Sequence, residues 1–238
     1  MIGIRSYGAY IPRHRLNRKK IFEAMGWLNS ATRGLARGEK AVANFDEDTL
    51  SMAVGAGLNC TSGFEPSELD GVYLASTTLP YLERQNAGIV AVALGMKENV
   101  RSSDFTGGLK SGTAAMLSAI EAVAFGEVNN IVVCASDCRL GKMGSSQEMV
   151  FGDGAGAFLI SDKDVIAEYK GSYSISADFV DHYRGRSTKF DNQWEDRWIR
   201  DLGYEYLIPT VIEGALNKYN MEIGDFTNEV YPCYYAAE

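Results

Sequence analysis

The chain has 238 residues, a formal net charge of -8, 46% hydrophobic residues and 23% charged residues. That balance fits a folded chain of one large or two smaller domains and excludes intrinsic disorder. Its acidity disfavours a nucleic-acid backbone as partner, and without an apolar run of about 18 residues no membrane-spanning helix is expected.

Ile2 to Ile11 reads as a strand stopped by Pro12, which has no N–H to give a ladder. A helix is expected from Asp46 onward, with Asp46, Glu47 and Asp48 in a first turn that favours acids. Gly71 to Ala75 reads as a short buried strand, Asn86 to Leu94 as a helix, and Arg101 to Phe105 as a strand. Gly112 to Phe125 is helical and apolar nearly all round, which predicts a helix buried in the middle of the protein. Asn130 to Ala135 and Ala155 to Ile160 are further strands. Strands separated by helices predict an α/β layered fold with helices covering a mostly parallel sheet.

A second unit is expected near Val165, opening on a long alternating strand from Val165 to Asp178. Asp181 to Asp201 is polar and rich in Arg, Asp and Trp, and reads as loop or short helices. Tyr204 to Tyr219 is a helix with one face formed by Leu207, Ile208, Val211, Ile212, Ala215, Leu216 and Tyr219. Pro209 within it suits a first turn or a kink. That apolar face requires cover from elsewhere.

The stretch from Asp104 to Thr113, DFTGGLKSGT, has the build of a strand, a tight glycine turn and a helix start. Such a turn presents its tip residue to the N-terminus of the following helix, where a thiolate is stabilised. The tip here is Leu109, which has no nucleophile. Gly152-Asp-Gly-Ala-Gly156 precedes a strand instead of a helix, so it reads as a packing turn and not as a phosphate cradle.

Cys60, Cys134, Cys138 and Cys233 are too scattered for a disulfide framework, and the Cys134/Cys138 spacing lacks the partners of a zinc site; no metal is expected. With no signal-peptide pattern at Met1-Ile-Gly-Ile-Arg-Ser, a reducing cytoplasm is the expected compartment. His14 and His182 read as surface or hydrogen-bonded structural residues.

Taken in order, Ile2 to Pro12, Asp46 to Thr49, Gly107 to Thr113 and Phe151 to Ala157 resemble the thiolase superfamily, in its hydroxymethylglutaryl-CoA synthase and ketoacyl-carrier-protein synthase III branch. The resemblance implies an αβαβα layered sandwich made of two similar halves. Residues 1–164 would form the first half and 165–238 the start of a second, truncated half. That branch works with a Cys, a Glu and a His. Its cysteine falls at Leu109, its acid/base glutamate at Thr77 and its histidine at Pro232. Leucine cannot hold an acyl group and threonine is a poor general base, so the usual Claisen chemistry is not expected. Substitutes weighed for the lost groups are Glu83, Cys233, Cys134, Cys138 and Ser111.

In its cysteine-less character the chain resembles the accessory subunit of phloroglucinol acetyltransferase complexes. That implies a pseudoenzyme subunit of an acyl-CoA or acyl-group transferase assembly, with no covalently bound cofactor and a coenzyme A thioester as substrate. The implied partners are a second copy, or a cysteine-bearing thiolase with a zinc-ribbon/OB-fold protein. The alternative is an active condensing enzyme or lyase of non-cysteine chemistry, with Glu83 or a tyrosine as base. A CoA-ester binding protein is a remote third reading. Arg184, Arg186 and Arg197 either meet CoA phosphates or lie on a solvated loop.

Overall fold

The computed structural model describes residues 1–185 and 187–231, in two units, Met1–Tyr169 and Lys170–Glu238. The first unit runs β1 (Gly3–Tyr10), β2 (His14–Asn17), α1 (Arg18–Met25), β3 (Glu39–Val42), α2 (Thr49–Cys60), β4 (Gly71–Ala75), α3 (Asn86–Ala93) and β5 (Arg101–Phe105). It continues with α4 (Ser111–Phe125), β6 (Asn130–Asp137), α5 (Ser146–Val150), β7 (Gly154–Ser161) and β8 (Ala167–Glu168).

Six strands form one sheet in the order β5-β4-β6-β7-β1-β8. β4 is parallel to β5 and β6, whereas β6–β7, β7–β1 and β1–β8 are antiparallel. The expected mostly parallel sheet is thus mixed. The parallel strands are those linked by crossover helices, and β7 returns beside β6 without one long enough to cross the sheet.

Strand alternation divides the core between the two faces. Val72, Leu74, Val132, Cys134 and Leu159 pack under α2 and α3. Tyr73, Ala75, Ile131, Val133 and Ile160 pack under α4. Leu74, Ile131, Leu159 and Ile160 are fully buried, each worth about 1.5–3 kcal/mol of transfer free energy.

Helix α2 starts at Thr49, later than the acidic run suggests, because Asp48 caps it instead of joining it. The Asp48 carboxylate accepts from Ser51 N at 2.8 Å, and Ser51 Oγ accepts from Asp48 N at 2.7 Å. Helix α4 buries Ala115, Ala119, Ile120 and Val123, while Met116 and Leu117 are partly buried. Phe125 is 77% exposed. The sheet therefore covers one face of a helix whose sequence predicted burial all round.

The second unit contains β9 (His182–Tyr183), β10 (Asn192–Gln193), α6 (Asp196–Trp198) and α7 (Glu205–Tyr219), with a π-helical turn at Ile199–Tyr204 joining the helices. Pro209 lies inside α7, and no residue of α7 is fully buried. The long strand expected from Val165 reduces to β8, which finds only Gly3 and Ile4 of β1 to pair with. Alternation alone cannot hold a strand without a ladder partner. Among the described residues no helix is long and apolar enough to cross a membrane.

Candidate active site

The C-terminal ends of the parallel strands β4 and β6 open onto the first turn of α4. Their junction is a cleft of about 270 Å³. Ala75, Ser76 and Thr77 form one wall, Ala135 to Asp137 the floor, and Gly108, Leu109, Ser111 and Gly112 the other wall. The ends of parallel strands are the usual place for ligands in α/β sheets.

The turn into α4 is built by local chemistry. Gly107 has φ +90°, a conformation that a side chain would strain. Ser111 donates its hydroxyl to Gly108 O at 2.6 Å, and Thr113 donates to Lys110 O at 3.0 Å. Leu109 stands at the tip, 54% exposed. Upstream, Asp104 of β5 accepts from the first two N–H groups of α3, Asn86 N at 2.8 Å and Ala87 N at 2.6 Å. This carboxylate fixes the strand from which the turn departs.

Thr77 and Leu109 therefore line one cleft. Pro232, Cys233 and Arg186 lie outside the described residues. Glu83 sits exposed in the loop after β4 and is not among the residues lining the cleft. Cys134 is fully buried on the α2 side of β6, and burial pushes its thiol up to about 12. Cys138 Sγ lies 3.4 Å from Thr49 Oγ1. Arg184 is within 3.8 Å of Asp191, and His182 Nδ1 lies 2.9 Å from Asp181; burial works to raise the Asp181 carboxyl, but the neighbouring imidazole and backbone N–H groups together hold it below its ordinary value. His14 is exposed on β2.

The glycine loop ahead of β7 is a structural junction. Asp153 accepts from Ala43 N at 2.7 Å, and Lys40 donates to Glu148 O at 2.6 Å. Burial raises Asp153 and lowers Lys40, each charge partly compensating the other.

Sequence reasoning missed Asp137, the one ionisable side chain among the described residues lining the cleft. Its Oδ1 accepts from Ser76 Oγ at 2.9 Å, Thr77 N at 2.8 Å, Thr77 Oγ1 at 3.0 Å and Thr78 Oγ1 at 2.9 Å. Its position at the end of an apolar strand is the signal that points to it.

No protein-family model matches the chain. It is 32% identical over 205 residues to hydroxymethylglutaryl-CoA synthase of Methanocella arvoryzae, covering 85% of this chain and 59% of that protein. It is 30% identical over 235 residues to the same enzyme of Methanosarcina barkeri, covering 97% of this chain and 67% of that protein. The chain thus spans two thirds or less of the length of these curated relatives. A solved hydroxymethylglutaryl-CoA synthase complexed with CoA superposes with a TM-score of 0.82 at 22% identity, covering 94% of this chain and 58% of that one, which shows the fold. The chain belongs to the hydroxymethylglutaryl-CoA synthase branch of the thiolase superfamily, with an α/β thiolase-like fold.

Proposed function

We propose that the chain is a non-catalytic, hydroxymethylglutaryl-CoA synthase-like subunit of a cytoplasmic acyl-group transferase complex. It engages an acyl-CoA thioester at the Thr77–Leu109 cleft without taking the acyl group covalently. The observation that carries this reading is Leu109 at the tip of the turn before α4, in a cleft with no thiol among its described lining. Fold neighbours solved with CoA and with 3-hydroxy-3-methylglutaryl coenzyme A support a CoA thioester as the ligand class. The partner that carries the chemistry is a cysteine-bearing thiolase, accompanied by a zinc-ribbon/OB-fold protein; a homodimer is the alternative assembly.

Independent condensation or lysis requires a base facing the substrate. Glu83 lies outside the cleft lining, and Asp137 Oδ1 is filled by four donor contacts. These placements weigh against that chemistry. Two measurements test the proposal. Intact-mass analysis after incubation with acetyl-CoA should show no acyl adduct, and stoichiometric labelling would reject it. Affinity purification from the native host should recover a thiolase, and recovery as a lone homodimer would remove the complex from the reading.

A further inference from the structure

We infer that Asp137 is the positioning residue of the cleft, holding the Ser76–Thr78 segment so that residue 77 stands at a fixed place opposite Leu109. Strand β4 ends at Ala75, and Ser76 N makes the next ladder-like bond, to Phe105 O at 3.0 Å. Beyond it the chain leaves the sheet and its donors need other acceptors. Asp137 supplies one oxygen to the hydroxyls of Ser76, Thr77 and Thr78 and to the amide of Thr77.

An oxygen that accepts from all these groups works as an anchor. Charge-assisted bonds of this kind are the strong ones among side-chain contacts. The anchor is itself braced. Thr78 Oγ1 accepts from Cys138 N at 3.0 Å and lies 2.8 Å from Thr49 Oγ1, at the fully buried first residue of α2. Thr78 N donates back to Ser76 Oγ at 2.8 Å. One carboxylate thus links the end of β4, the end of β6 and the start of α2 around a single wall. The consequence for a ligand rests on the acyl-thioester reading above; the consequence for the backbone does not.

The test uses the full chain with Asp137→Ala and Asp137→Asn, read by amide hydrogen exchange, urea unfolding and calorimetric titration with acetyl-CoA. Asp137→Ala should speed exchange across Ser76–Leu79 about tenfold and weaken acetyl-CoA about tenfold, the loss expected for one or two anchoring bonds. Protection in β7 should stay near wild type, which a general structural role would not allow, while the urea midpoint falls only by the cost of the stranded donors. Asp137→Asn keeps a carbonyl acceptor and should recover most of both effects.

Wild-type exchange in the Ala variant would overturn the inference. So would an Asn variant no better than Ala. Should Asp137→Ala fail to fold, Ser76→Ala, which removes one donor, must still speed exchange at Thr77 and Thr78, and no change there overturns it. Altered exchange together with a wild-type chain that binds no acetyl-CoA supports the anchor and overturns the acyl-thioester reading.

Discussion

Replacing Asp104 with alanine should be among the most damaging single changes to a partly exposed residue of the first unit. Its carboxylate receives Asn86 N at 2.8 Å, Asn86 Nδ2 at 3.0 Å and Ala87 N at 2.6 Å. Asn86 is 1% exposed and Ala87 is fully buried, so water reaches these donors poorly once the carboxylate is gone. The Asn86 side chain keeps Tyr81 O and Arg84 O as acceptors, which leaves the two backbone donors as the main loss. Each stranded donor costs about 1–3 kcal/mol, and the lost charge at a helix N-terminus adds about 0.3–1 kcal/mol. Part of this is relieved by water entering beside the partly exposed Asp104, so about 3 kcal/mol is expected overall. With a urea m-value of about 2 kcal/mol/M, the midpoint should fall by about 1.5 M. Asp104→Asn retains one acceptor and should cost about half as much. Far-UV circular dichroism in urea, with hydrogen exchange of α3 to localise the effect, measures both. A midpoint shift for alanine below about 0.5 M, or equal shifts for Asn and Ala, would refute the capping argument.

The approach of β1 to α2 should be equally intolerant of bulk: a Cβ on Gly8 would sit 2.3 Å from Cys60 N and 2.4 Å from Ala56 O. Gly8→Ala should destabilise by about 2–3 kcal/mol in the same urea assay, and a neutral result would mean that the helix is free to shift. Acid and alkaline flanks of stability should both report the Tyr10–Glu47 contact. Glu47 is held below its ordinary 4.5, first by Asn44 N–H and then by the Tyr10 hydroxyl, so its contribution is complete above 4.5 and fades as pH falls through the lower folded value. Tyr10 is raised above 10.0 chiefly by the bond to Glu47, so its contribution is complete below 10.0 and fades as pH rises through the higher folded value. Glu47→Gln should flatten both flanks of a thermal-stability profile, and an unchanged profile would count against the pair. Burial raises the Cys60 thiol and pushes Cys134 to about 12; both should resist a thiol-reactive disulfide reagent until the chain unfolds. Labelling of Cys134 at the rate of a free thiol would contradict its burial.

The buried elements were legible because their apolar runs are short, bounded and unambiguous. Gly71–Ala75, buried throughout, is a strand at the expected residues, and the Asn86 helix begins where expected; Arg101–Phe105 is also a strand at its expected residues, although it is mostly polar and only partly buried. The antiparallel β2–β3 pair was not legible: His-Arg-Leu-Asn and Glu-Lys-Ala-Val offer no alternation, and β2 is exposed throughout. The Val165–Asp178 run had the pattern of a strand but only two residues of partner. At the cleft, family resemblance located Thr77 and Leu109, while Asp137 escaped because it lies just past Ala135 and a single aspartate has no spacing to read. Its significance comes from donors that reach it from a segment some sixty residues earlier in the chain.

The placement of β1 also shapes how the chain is made. Gly3–Tyr10 enters the sheet between β7 and β8, with Gly3 facing Ser161 on one side and Glu168 on the other. At about 5–20 residues per second, the ribosome needs roughly 8–30 s after making Gly3 to deliver those partners. Throughout that interval β1 lacks its neighbours, with Ile2 and Ile4 destined for the α4 side of the core. Closure of the sheet is therefore a late, non-local event, and a translational pause before Gly154 should favour chaperone engagement over productive folding.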